Sequence, residues 1–196
     1  VLSVRYIRRD YLRYFFVFPV AMILINAQDF FLTGGAHLFG LSQTTATFLA
    51  FVAGAIIMFA ISTKENITAI SKISALIAAA GLVPWLFLPN GAASLFCSAL
   101  LMAGVGGCVS AGSFSYVFML NNAERFFGGT LMLLLIESLE LADGLIQIPD
   151  IWRKLGALGL VSVLCICMLL SKKQDYAGAV ENKARKSDPS IWLALY

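Results

Sequence analysis

Residues 93–120 read ASLFCSALLMAGVGGCVSAGSFSYVFML, an apolar run without one charged side chain. A hydrocarbon core of about 30 Å is crossed by about 20 helical residues, so this run is long enough to span a bilayer. Within it Gly104, Cys108 and Gly112 recur every fourth residue, as do Ala103, Gly107 and Ala111. Rows of small side chains let helix backbones approach closely, which replaces the hydrophobic drive missing inside lipid. Tight packing, rather than direct contact with a substrate, is the expectation for this stretch. A phosphate-binding glycine loop is excluded, because no Gly-Lys-Ser/Thr ending and no preceding strand accompany the glycines.

Outward from this run, the chain repeats the same pattern. Apolar blocks cover about residues 14–33, 41–61, 73–88, 126–148 and 155–170, punctuated by Pro89-Asn90-Gly91, Asn121-Asn122, Pro149-Asp150 and Lys172-Lys173. Helices are the open-ended segments that satisfy their own backbone in lipid, and strand alternation is absent, so a β-barrel is not in contention. Of the 196 residues, 60% are hydrophobic and 13% charged, against about 25% charged in a soluble domain. A compact soluble globule of that composition would lack polar groups for its shell. The expected fold is all-α: a polytopic membrane protein with a six-transmembrane-helix bundle at residues 14–171. A basic leader, 1–13, precedes it, and a tail or linker, 172–196, follows. Ser187-Asp188-Pro189-Ser190 and then Ile191 to Tyr196 read as a loop and the opening of another apolar helix. The chain is therefore expected to be a piece of a longer polypeptide.

Charge gives an orientation. Of 14 Lys and Arg, only Arg153 and Lys154 fall on one side of a six-span layout; the leader, the loops at Lys64, Lys72 and Arg125, and the tail take the others. Positive charge is retained on the cytoplasmic face, so both ends are expected inside, in a cell membrane. Arg5, Arg9 and Arg13 would line one helical face beside Tyr6, Tyr11 and Tyr14, which suits a juxtamembrane anchor on anionic headgroups. The net charge of +3 gives the spanning region no call on nucleic acid.

The block at 126–148 carries Glu137, Glu140, Asp143 and Gln147 on one helical stripe. Counted from Phe126, Glu137 lies roughly 16 Å in, near the midplane. A carboxylate there costs about 2.5–3.5 kcal/mol even on the lenient insertion scale. Either these groups line a water-filled cavity or hold raised pKa values, or the helix leaves the membrane near Leu139 and continues along its surface. In the first block Asn26, Gln28 and Asp29 interrupt the apolar run, with Asn26 and Asp29 roughly 18 and 22 Å from Tyr14. Polar groups at one depth on different helices suit a solute or proton pathway; alternatively, Asp29 ends a shorter first helix. The candidate pathway is therefore Asn26, Asp29, Glu137, Glu140 and Asp143.

Other polar residues read more plainly. His37, the only histidine, is expected at a surface. Cys97, Cys108, Cys165 and Cys167 all lie inside apolar blocks and read as packed thiols. Glu124 and Arg125, in the turn before the fifth block, read as an exposed pair or as partners of neighbouring loops, worth little energy. No metal or other cofactor is expected, and no enzyme, because neither a paired nucleophile and base nor ligand-spaced cysteines are present.

The layout resembles one half of a major facilitator superfamily transporter. The resemblance is carried by Ala78-Ala79-Ala80-Gly81-Leu82, the short Pro89-Asn90-Gly91 turn, Gly104-Val105-Gly106-Gly107, Tyr116 and Arg125-Phe126-Phe127-Gly128. The loop 62–72 departs from the family's Gly-x-x-x-Asp-Arg-x-Gly-Arg pattern, and the Pro and paired Gly of antiporter fifth helices are missing. The resemblance implies transport of a small solute by alternating access, with a second six-helix half from the same polypeptide or another copy. A proton could be carried by one of the glutamates, since a buried carboxyl with a raised pKa loads and releases protons near neutral pH. Extra acidic residues would suit a cationic or polar substrate. The competing expectation is a sensor or anchor domain that moves nothing and relays a signal to a cytoplasmic partner.

Overall fold

The computed structural model describes residues 8, 11–32, 37–38, 40–63, 66–146 and 148–172, with the side chains of residues 37, 38 and 143 left undescribed. Arg5, Tyr6, Arg9, Lys64, Gln147 and the tail beyond Lys172 lie outside these residues. The described residues are almost entirely helical. In order it forms α1 (Leu12–Asn26), α2 (Gln28–Phe31), β1 (His37–Leu38), β2 (Leu41–Ser42), α3 (Gln43–Ile61), α4 (Ile67–Phe87), α5 (Ala92–Phe118), α6 (Asn122–Ile146) and α7 (Asp150–Leu169). Helices α3, α4, α5 and α7 are long and apolar enough to cross a membrane, which is compatible with an integral membrane protein.

Two helices make the spine. Both Pro19–Ala21 and Ile23–Ile25 of α1 are buried, the mark of a helix that is apolar all round and enclosed by others. It packs against α5, α6 and α7. Helix α5 takes α3 and α4 along its other faces, and α7 closes the bundle by reaching α4. Small residues make those contacts possible. A Cβ on Gly54 of α3 would collide with the Ala103 carbonyl of α5, and one on Gly104 of α5 with the Ala78 backbone of α4. The rows of small residues in α5 thus do what their spacing suggests, bringing backbones together. The described cysteines are free, with Cys108 and Cys167 buried.

Element ends differ from the apolar blocks for local reasons. Helix α4 begins at Ile67, six residues before the apolar run, and takes in Thr68, Ser71 and Lys72. The hydroxyls of Ser71 and Ser74 donate to the carbonyls of Ile67 and Ile70, so both are satisfied within the helix. Ser42 caps α3 by accepting from the Thr45 N–H at 3.2 Å. Asn121 and Glu124 cap α6 reciprocally, each side chain accepting from the other's backbone N–H at 2.9 and 2.8 Å. The first block is not one helix. It breaks at Ala27, and α2 restarts with Phe30 and Phe31 both donating to the Ala27 carbonyl. A two-residue antiparallel ladder, His37 opposite Ser42 and Leu38 opposite Leu41, then leads into α3. Its turn needs Gly40, whose φ of 79° is open to glycine at no steric cost.

Candidate functional site

The two polar groups singled out in the sequence lie on helices that touch, since α6 packs against α1 and α2. Asn26, at the end of α1, is exposed, and its amide donates back to the Met22 carbonyl at 2.8 Å. Asp29, on α2, is exposed and accepts from the Thr44 hydroxyl of α3. Glu137 and Glu140 are exposed on α6. Asp143 lies one turn further along α6, its side chain outside the description. Among the described residues, no hydrogen bond or ion pair joins Asn26 or Asp29 to Glu137 or Glu140.

The reason for the outward stripe is local to α6. Its second half rests on buried Ile136, with Met132 and Leu139 packed beside it. That seam turns Glu137 and Glu140 away from the bundle, in company with exposed Leu133, Leu134 and Leu141. An apolar face with carboxylates set into it is therefore open at the edge of the molecule.

Beside Asp29, a buried polar seam fastens α2 to the start of α3. Thr47, 1% exposed, donates its hydroxyl among the Gln28 amide oxygen and the Gln43 and Thr44 carbonyls. Gln43 in turn donates to the Leu32 carbonyl at 2.7 Å. Gln28 is legible as polar in an apolar run. Its partner Thr47, 19 residues away, is not.

The turn between α5 and α6 holds a buried charge contact. Glu124 is 1% exposed, against 44% for Arg8. Its carboxylate accepts from the Arg8 backbone N–H at 2.9 Å, from Nε at 3.0 Å and from Nη2 at 2.8 Å. Arg8 also donates to the Met119 carbonyl at 2.6 Å and stacks on Tyr11. An exposed Glu124–Arg125 pair is thus replaced by a buried carboxylate held by the leader. Arg125 instead caps the end of α5, donating to the carbonyls of Tyr116 and Val117, where cations suit the helix dipole. Burial pushes the Glu124 pKa up, but the Arg8 hydrogen bonds and charge outweigh it and hold the carboxyl below its usual range. The same hydrogen bond raises the Arg8 pKa.

A third feature escapes sequence reading altogether. Between α3 and α5, near the α3–α4 turn, lies an apolar crevice of about 990 Å³. None of the five pathway residues lines it. Among the described residues no group of His, Cys, Asp and Glu is placed to hold a metal ion. Compared with known proteins, the chain matches no family model, no curated protein and no solved structure.

Proposed function

We propose that the chain is a six-span half of a carrier resembling the major facilitator superfamily, with both ends cytoplasmic, moving a small polar or cationic solute by alternating access. The observation that carries this reading is the outward face of α6, where Glu137 and Glu140 stand exposed among leucines. Carboxylates at that depth are not left against lipid tails, so the face belongs against a polar cavity. A second six-helix half, from the same polypeptide or another copy, would close that cavity. The break in α1 at Ala27 adds support, since broken helices beside polar residues line solute and ion sites in many carriers.

Uptake into proteoliposomes of the full-length polypeptide, driven by a proton or solute gradient, tests this. Glu137→Gln or Glu140→Gln is expected to abolish uptake while insertion stays normal. Full uptake in both variants, or none of a broad solute panel by the unaltered protein, would remove the carrier reading. A second reading, a sensor or anchor domain without transport, is favoured by the placement of the crevice away from every pathway residue. In that case the end of α6 lies along the membrane surface. A Glu140→Cys variant would then react with an impermeant maleimide at the rate of a surface thiol, whatever solute is added.

A further inference from the structure

Glycines of different kinds sit in these helices. At Gly54, Gly104 and Gly106 a Cβ would strike a neighbouring backbone, so packing itself demands glycine there. Gly128 and Gly129 of α6 stand in easier surroundings. A Cβ on Gly128 would meet the Phe15, Pro19 and Tyr116 side chains at 3.4, 3.5 and 3.6 Å, and one on Gly129 the Tyr116 hydroxyl at 3.4 Å, all ordinary contacts. Neither residue has the positive φ of Gly40. Alanine would fit at both and would favour the helix, since glycine costs a helix more than any residue but proline. Packing and backbone geometry therefore leave unexplained why the glycines stand side by side in a helix that runs from Asn122 to Ile146. What they supply is backbone freedom.

The neighbours of this pair point the same way. Before the glycines, the first turn of α6 is fixed. Arg8 holds Glu124, Arg125 donates to the Tyr116 and Val117 carbonyls, and the Tyr116 hydroxyl donates back to the Arg125 carbonyl. Directly after them, the Thr130 hydroxyl donates to the Phe126 carbonyl at 2.9 Å, a bond back along the helix of the kind that bends helices. Across the contact, Pro19 inside α1 lies beside Gly128, and a proline within a helix removes a backbone hydrogen bond and favours a kink. Weak points of neighbouring helices thus share one level. Beyond the glycines, α6 shows Leu133, Leu134 and Leu141 outward, so nothing among the described residues blocks movement on that side. We infer that α6 carries a hinge at Gly128–Gly129, about which the part bearing Glu137 and Glu140 swings relative to the anchored first turn. The inference concerns the helix itself and holds under either functional reading.

Spin labels at Leu141→Cys and Phe96→Cys report the part of α6 beyond the hinge against α5. Labels at Phe126→Cys and Phe59→Cys report the part before it against α3; all these positions are exposed. Double electron–electron resonance reads both distances on the full chain in vesicles, with its native cysteines replaced by alanine. The Leu141–Phe96 distribution is expected to be broad. Gly128→Ala together with Gly129→Ala is expected to narrow it to the width of the Phe126–Phe59 distribution without lowering the thermal midpoint. Hydrogen exchange on the chain with its cysteines intact gives a second readout. Amides at 130–133, whose helical bonds reach back to or across the glycines, are expected to exchange several-fold faster than those at 135–142, and the alanine pair to remove the difference. A Leu141–Phe96 distribution as narrow as the other, a width that alanine leaves unchanged, or even exchange along α6 would overturn the hinge. So would a lower midpoint in the alanine pair, since packing would then have demanded the glycines.

Discussion

Helices α5 and α6 follow one another in the chain and are built on opposite terms. Helix α5 presents glycine and alanine to α3 and α4, and at Ala103, Gly104 and Gly106 its contacts are backbone to backbone. Helix α6 leans on α1 through larger side chains around Ile136 and shows carboxylates to the outside. The first arrangement is complete within the chain and intolerant of added atoms. The second leaves a mixed apolar and acidic face that nothing among the described residues covers. Small side chains thus mark where the bundle is closed, and the acidic stripe marks where it is open to solute, solvent or another polypeptide.

The sharpest way to break this contrast is to add bulk to α5's contacts. Gly54→Leu or Gly106→Leu places side-chain atoms where a neighbouring carbonyl already sits, and a loss of about 3 kcal/mol or more is expected. Denaturant unfolding in mild detergent measures it; a loss below about 1 kcal/mol would show that the helices slide apart freely. Next comes the Arg8–Glu124 contact. Arg8→Met leaves a buried carboxylate with its guanidinium removed, and a loss of about 1–3 kcal/mol is expected, reduced by the half-exposure of Arg8. Glu124→Gln is milder, since the amide oxygen still accepts hydrogen bonds and the half-exposed guanidinium turns to water. Equal losses in the two would contradict this asymmetry.

The same contact has a pH signature. The folded Glu124 pKa lies below its unfolded value, so its stabilisation is fully present above about pH 4.3, the ordinary glutamate value. It is lost as pH falls through the lower folded pKa, because the unfolded state takes up the proton first. Unfolding midpoints are expected to decline with acid below about pH 4 in the unaltered chain, and less steeply in Glu124→Gln. Parallel declines would assign the acid sensitivity elsewhere. The smallest stability effect belongs to the open face: Glu137→Gln and Glu140→Gln are expected to change folding free energy by no more than about 0.5 kcal/mol. A larger loss would mean that these carboxylates hold the bundle together.

Much of this was legible locally. The spacing of Ala103, Gly104, Gly107 and Ala111 marked α5 as a packing helix, and the stripe of Glu137 and Glu140 does share one side of α6. Hydrophobic runs located the long helices but misplaced the start of α4, because a polar residue such as Ser71, its hydroxyl satisfied by the Ile67 carbonyl, can be buried within a helix that the apolar run does not reach. Of the two readings of Glu124, the exposed pair with Arg125 gives way for a different reason. The partner of Glu124 lies 116 residues away, and local spacing says nothing about a contact of that range.

The sequence by itself determined that the chain is helical and apolar over spanning lengths, because run length and periodicity are properties of neighbouring residues. It also determined which helices can approach closely, because the absence of a Cβ is written residue by residue. Only the tertiary structure decided which way the acidic face of α6 points, what holds Glu124, and that α3 and α5 part to leave a crevice. Each of these depends on how distant segments are placed together, and that placement is set by packing across the whole bundle.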